Sequence, residues 1–409
     1  MMTELCAAKS FDAIGSPLRL LLAARALRDF GDGFVAVLLP VYLTRLGFSP
    51  FEIGAMAATA LAGSAVLTLA IGFLGVRHDH RRLLLAAAGL MAATGFTLSI
   101  FDAYAILLVI AFVGSVNPSG GSASSFVPIE HAVLTRETPD QDRTRMFARY
   151  SLIGGLSGAA GALTAAMPDF LTRIGLSELT AIKAMFLLYA ALGLFGAVLY
   201  ARMPRRPPAA QHASKAALGP SRAIVYKLAA LFSLDAFAGG FVVQSLLALW
   251  LFSRFDMSLS AASIFFFCSG VLSAFSFPVA ARVSKRFGLV NTMVFTHLPS
   301  SLCLILAAFA PSLTITLALL LVRAALSQMD VPTRSSYVMA VVTEPERTAA
   351  ASFTSVPRSL AASVSPALAG ALFSFSWQAS PLIICGALKI AYDVLLLEQF
   401  RELKPPEEN

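Results

Sequence analysis

Charge is what this chain has least of. Only 13% of its 409 residues are Asp, Glu, Lys or Arg, against 57% hydrophobic, and the mean hydropathy is +0.76. A soluble domain carries charge on about a quarter of its residues to face water, so that class is excluded. Cysteine is almost as scarce: Cys6, Cys268, Cys303 and Cys385 lie far apart, which argues against a disulfide framework and a cysteine metal site. The G-x-x-x-x-G-K-[ST] phosphate loop is missing, which speaks against ATP-driven work by this chain. H-E-x-x-H, G-x-S-x-G and Cys/His clusters are missing too, so no catalytic residue, metal ligand or cofactor is expected, and the chain does not read as an enzyme. The first 17 residues contain Glu4 and Asp12 and lack an apolar h-region, so no removable signal peptide is expected.

What remains is long apolar runs. Twelve can be counted: 20–46, 53–76, 82–101, 104–133, 147–167, 181–201, 227–252, 259–281, 289–309, 312–342, 350–375 and 380–400. A crossing of about 20 residues is the unit, so the expected fold is an all-α polytopic membrane protein. The fourth and tenth runs exceed one untilted crossing. They are expected to tilt or kink, at Pro118 and Pro128 in one and Pro332 in the other.

Between runs six and seven lies a polar stretch with Arg202, Arg205, Arg206, Lys215 and Arg222 and no acid up to Arg222. It reads as a basic linker, cytoplasmic by the positive-inside rule, as do both termini. The excess of eight positive charges sits in such short loops, so it indicates membrane orientation and no nucleic-acid partner. The expected organisation is a cytoplasmic segment 1–19, a six-helix bundle 20–201, the linker 202–226, a second six-helix bundle 227–400 and a tail 401–409.

The two halves repeat. Pro128-Ile129-Glu130 and Asp142-Arg143-Thr144 recur at one constant offset as Pro332-Thr333-Arg334 and Glu346-Arg347-Thr348. Gly33-Phe34-Val35 is echoed by Gly240-Phe241-Val242, and Gly161-Ala162-Leu163 by Gly370-Ala371-Leu372. Paired six-helix halves of this kind are the pattern of parallel-repeat transporters.

Inside the first run stand Arg25, Arg28, Asp29 and Asp32. A charge at mid-bilayer costs about 2.5–3.5 kcal/mol on insertion scales, so four together need partners and a purpose. Their spacing puts them on one helical face and predicts i,i+4 pairs Arg25–Asp29 and Arg28–Asp32. In the tenth run Arg323, Ser327, Asp330 and Arg334 also share a face, with Asp330 able to pair with Arg334. Asp235 in the seventh run stands at the depth of Arg28 and Asp29. Glu130 and Arg334 occupy repeat positions and could pair across the pseudo-two-fold axis. Arg358 is the one charge within an otherwise small, apolar part of the eleventh run. His297 reads as a hydrogen-bonded packing residue, and Lys389 with Asp393 as a structural i,i+4 pair at the periphery.

The whole chain resembles the major facilitator superfamily of secondary transporters. Its loop between the second and third helices usually reads G-x-L-a-D-r-x-G-r-k-x-x-l. Here Gly72, Leu74, Arg77, Arg81 and Arg82 match, while Val76 replaces the acid and Asp79 the second glycine. The related loop of the second half keeps Arg286 and Gly288. The resemblance implies two pseudo-symmetric bundles whose helices 1, 4, 7 and 10 line a central cavity. It makes Asp32, Asp29, Asp235 and Asp330 proton-coupling candidates, and Arg28, Arg323, Arg334, Arg358 and Glu130 cavity or substrate candidates. Arg77, Arg81, Arg143, Arg286 and Arg347 become cytoplasmic gate-loop candidates. The G-P-x-x-G-G element of drug/proton antiporters is absent from the fifth run, which has no proline there, and Ser365–Gly370 in the eleventh only approximates it.

The function expected is secondary active transport of a small solute by alternating access, proton-coupled, with export as the direction the resemblance favours. Uptake or exchange of an anionic metabolite is the alternative within transport, motivated by the arginines. A receptor or assembly factor with a transporter fold is the alternative outside it. The expected partners are a small-molecule or ion substrate, protons and the lipid bilayer, and the expected form is a monomer in the plasma (inner) membrane.

Overall fold

The structure, a computed structural model, describes residues 16–74, 79–114, 116–119, 126–139, 142–205, 219–343, 346–375, 378–401 and 403. Among them it is helical, with sixteen helices and no strand. The first half holds α1 (Ser16–Arg45), α2 (Pro50–Leu74), α3 (His80–Ile100), α4 (Tyr104–Val113), α5 (Phe126–Glu137), α6 (Arg143–Thr164), α7 (Met167–Arg173) and α8 (Glu178–Ala201). The second holds α9 (Arg222–Gly240), α10 (Gln244–Phe255), α11 (Leu259–Phe287), α12 (Leu289–Phe309), α13 (Leu313–Ser327), α14 (Asp330–Ala340), α15 (Arg347–Phe373) and α16 (Ser380–Phe400).

These helices fall in the twelve runs read from the sequence, except α7, which carries the fifth run on from Met167 to Arg173. Among the described residues, nine helices or joined helix pairs are long and apolar enough to cross a membrane. The remaining three runs fall short for visible reasons. The first carries its four charges, the fourth is broken between Val113 and Phe126, and the eleventh contains Arg347, Arg358 and many serines. The first helix already includes Ser16, ahead of the run's beginning at residue 20. Most of the expected linker 202–226, nearly all of segments 1–19 and 401–409, and Arg77 lie outside the described residues.

Breaks occur where the backbone loses a donor. Pro332 has no N–H for the carbonyl of Gln328, and the tenth run bends there, between Ser327 and Asp330. Pro118 lies in the gap between α4 and α5, whereas Pro128 sits harmlessly in the first turn of α5. The seventh run, expected as a single helix, is interrupted after Gly239-Gly240, and the freed N–H of Ser245 donates to the carbonyl of Pro118 (3.1 Å). Two interruptions from opposite halves thus satisfy each other.

Packing follows the repeat. α1 packs on α6 as α9 does on α15; α3 on α8 as α12 on α16; α2 on α4 as α11 on α13. Between halves, α2 meets α15 and α6 meets α11, again as equivalents. At the end of the molecule opposite Ser16, the contact of α2 with α15 is backbone on backbone. A Cβ on Gly54 would lie 2.7 Å from Gly370 Cα, so no larger residue fits without separating the helices. There too, Ser260 donates its backbone N–H to Asp169 Oδ2 (3.1 Å) and its hydroxyl to the same oxygen (2.5 Å), tying the halves together.

Candidate functional site

Each half encloses one buried charge cluster, and the clusters are built at repeat-related positions. In the first half Glu130, on α5 and without solvent exposure, is the hub. Arg28 NH1 donates to its Oε1 (2.8 Å), joined there by Tyr200 Oη (2.7 Å), while Tyr150 Oη donates to Oε2 (2.5 Å). Arg25 donates to Tyr150 Oη (2.6 Å) and holds Asp29 through Nε (2.8 Å). The guanidinium groups of Arg25 and Arg28 lie over the rings of Tyr150 and Phe126, at 4.2 and 4.5 Å from the centroids. Gly154 on α6 makes the room: a Cβ there would stand 2.7 Å from Arg25 Nε.

Asp32 differs from its neighbours. The expected Arg28–Asp32 pair does not form, because Arg28 is occupied by Glu130 and, at 3.3 Å, by Asp29. Asp32 is 1% exposed, accepts from Tyr189 Oη (3.0 Å), and has no cation within ion-pair distance among the described residues. The cluster therefore holds three carboxylates against two guanidinium groups.

In the second half Asp235, on α9, is the hub. Arg334 NH1 donates to its Oδ2 (2.9 Å) and Lys389 Nζ to its Oδ1 (2.6 Å). Arg334 also meets Asp330 one turn away (3.3 Å), the pair that spacing predicts. Lys389 reaches His297 Nε2 (3.1 Å), and His297 Nδ1 reaches Asp393 (2.9 Å). An ammonium can only donate, so Nε2 accepts and Nδ1–H donates to Asp393. The Lys389–Asp393 pair read as local and peripheral is thus replaced: both residues point inward, and His297 stands between them. Nothing in their spacing reveals this, since the intervening ring comes from α12. The tyrosines at 150, 189 and 200 were also missed; a tyrosine carries no charge to mark it in an apolar run.

Glu130 and Arg334 do not pair with each other; each closes a pair within its own half. Their equivalence shows differently. Arg28 and Asp235 are related by the same offset as Gly33 and Gly240, and Glu130 and Arg334 by the constant offset of their own repeat. Both halves therefore carry one ion pair at the same place, with inverted polarity: cation on α1 and anion on α5, anion on α9 and cation on α14.

The other candidates separate. Arg323 does not continue the face of Asp330 and Arg334, because the bend at Gln328-Met329 intervenes; its electrostatic neighbours are the thiols of Cys303 and Cys385. Arg358 has Arg334, Asp235, Asp330 and Tyr392 as electrostatic neighbours and no ion pair among the described residues. In the loops, Arg81 donates to the carbonyl of Ala201 and Arg347 to that of Met339 (3.2 Å), while Arg286 lies beside Phe287. Asp79, which replaces the motif's glycine, caps α3 by accepting from the Arg81 backbone N–H (3.1 Å). Arg143 opens α6, and its side chain lies outside the described residues. Glu346, before α15, accepts from the Ser221 hydroxyl (2.6 Å), the Thr343 hydroxyl (2.5 Å) and the Gly219 backbone. Those bonds, the Ser221 hydroxyl first, hold its carboxyl down to about 2.

Two repeat-related helical bundles around buried charge define a multi-pass membrane transporter. The model of the Major Facilitator Superfamily matches residues 21–322 and 229–409, and the chain belongs to that family. An uncharacterized membrane protein of Saccharomyces cerevisiae, YJR124C, is 23% identical over 95% of both chains. Among solved structures, the chain is similar in fold to a mutant of the nucleoside transporter NupG (TM-score 0.75, 14% identity, 94% of this chain and 100% of that one). It is equally similar to a D-xylose-proton symporter (TM-score 0.75, 13% identity, 96% and 98%).

Proposed function

We propose that the chain is a proton-coupled secondary transporter that moves a small solute by alternating access, with Asp32 as the group that exchanges the proton. The observation that carries this is the charge count around α1. Asp29 and Glu130 each have a guanidinium partner, whereas among the described residues Asp32 has only the hydroxyl of Tyr189. A buried carboxylate without a cation is the charge the fold compensates least, and a proton taken up there removes the excess negative charge of the cluster. Rocking the first half against the second, around the two clusters, would open Asp32 to one side and then the other.

The rigid units are the bundles 20–201 and 227–400, and the basic linker 202–226 with both termini faces the cytoplasm of a plasma (inner) membrane. Export is the direction we carry forward. The test is reconstitution of the purified chain into proteoliposomes with an imposed pH gradient. Asp32→Asn is expected to lose gradient-driven accumulation while keeping solute counterflow. Unchanged accumulation would remove Asp32 from coupling, and no flux of any solute would favour a receptor or assembly factor with this fold. Everted and right-side-out vesicles distinguish export from uptake.

A further inference from the structure

We infer that Arg358 is the docking group for a carboxylate or phosphate on the transported solute, so that the substrate is a small organic anion; this rests on the transporter reading above. The cations of the two clusters are otherwise engaged. Arg25 holds Asp29 at 2.8 Å, Arg28 holds Glu130 at 2.8 Å, Arg334 holds Asp235 at 2.9 Å and Lys389 holds Asp235 at 2.6 Å. Arg358 has no carboxylate within ion-pair distance among the described residues, and its Nε is shut off from solvent without a hydrogen-bond partner. The acids that face it cannot turn to it: Asp235 is shared by Arg334 and Lys389, and Asp330 by Arg334. Its foremost charged neighbour is another guanidinium, that of Arg334.

Such an arrangement is costly unless something completes it. Arg358 is partly buried in a membrane helix; a cation there needs a counter-charge, and like charge beside it adds to the cost. An incoming anion answers both. The free Nε–H and one terminal N–H of a guanidinium form a planar fork that matches two oxygens of a carboxylate or phosphate, which an ammonium cannot do. The position suits a solute as well. Arg358 projects from α15, which packs on α9 of its own half and, near Gly370, on α2 of the other, so an anion held there sits on a helix that contacts both halves. Arg323, also without an ion pair among the described residues, does not qualify: its electrostatic neighbours are two thiols, on α12 and α16, and its Nε is not one of the buried nitrogens left without a partner.

An anionic lipid headgroup offers the same chemistry, since α15 also exposes Phe353, Leu360, Val364 and Leu368. The experiment separates the sources. Thermal unfolding of the full chain is followed in neutral phosphatidylcholine nanodiscs with succinate, lactate, glycerol phosphate, xylose, uridine or tetraphenylphosphonium added. A second set adds phosphatidylglycerol to the discs without solute. At least one soluble anion is expected to stabilise the wild-type chain and to lose the effect in Arg358→Gln. Arg358→Lys should bind it at least about tenfold more weakly, because the fork is lost. The variants' own unfolding temperatures, expected at or above wild type, show that they fold.

Equal stabilisation of Arg358→Gln by the anion would overturn the assignment, and so would a response to phosphatidylglycerol alone. A neutral solute that binds and is carried by the pH gradient would overturn the anion class while leaving the proton-coupled transporter in place. Anion binding that needs Arg358, with no flux of any solute, would keep the site and remove the transport reading.

Discussion

Asp235 accepts from two cations, whereas Asp330 shares only Arg334. Removing charge from Asp235 leaves Lys389 with no carboxylate partner and Arg334 with a single, longer contact. Breaking a buried pair from one side costs about 3–5 kcal/mol, so Asp235→Asn should destabilise by about that much. Asp330→Asn should cost less than about half as much, because Arg334 keeps its 2.9 Å contact to Asp235. Thermal unfolding in detergent reads both, and equal losses would show that Arg334 depends on Asp330 alone. The contrast also marks what a sequence can show at this scale. Arg25–Asp29 and Asp330–Arg334 are legible because one helix turn brings each pair together whatever surrounds it. Arg28–Asp32 and Lys389–Asp393 have the same spacing and do not pair. Glu130 offers Arg28 an acid already held by two tyrosines, and Asp235 and His297 draw Lys389 away. Spacing ranks partners on one helix but is silent about competitors on another.

Helices were readable from long apolar runs, and their interruptions only in part. The Pro332 bend was expected because a missing N–H acts four residues back on its own helix. The interruption after Gly240 was not, because its stabilising bond, from Ser245 to Pro118, depends on a strand of backbone in the opposite half. The anchoring of α15 is another such case. Glu346 looks in the sequence like a loop acid before a helix, yet it fastens the segment before α9 through Gly219 and Ser221. Its folded carboxyl titrates at about 2, below the ordinary 4.5. A depressed carboxyl contributes stability above its unfolded value and loses it as pH falls toward the folded one. The unfolding temperature of wild type should therefore exceed that of Glu346→Gln by a constant margin from pH 8 down to about pH 5. The margin should shrink between pH 4.5 and about 2. A margin that is absent at pH 7 would mean that the anchor contributes nothing.

Across the whole molecule, the repeat preserves the place of an ion pair and inverts its sign, so each pair closes within its own half, at α1–α5 and α9–α14. Neither pair needs the other half, which leaves the bundles free to move as units. Besides the Ser245–Pro118 hydrogen bond, they are joined at the end opposite Ser16 by the Gly54–Gly370 approach and the Asp169–Ser260 hydrogen bonds. A part-buried hydrogen-bonded contact of this kind contributes roughly 1 kcal/mol, and backbone approach between small residues lets helices separate without leaving large pockets. In the alternating access proposed above, the end that these contacts close is the one that would open to give the other state. A cross-link there should stop transport. In a background with the native cysteines replaced, Asp169→Cys with Ser260→Cys should lose at least about 90% of its counterflow, roughly a tenfold fall in rate, when oxidised, and recover when the bond is reduced. Either single substitution should be insensitive to oxidant. Solute exchange at full rate by the cross-linked protein would show that this end stays shut throughout the cycle, and alternating access by separation of α6 from α11 would fall with it.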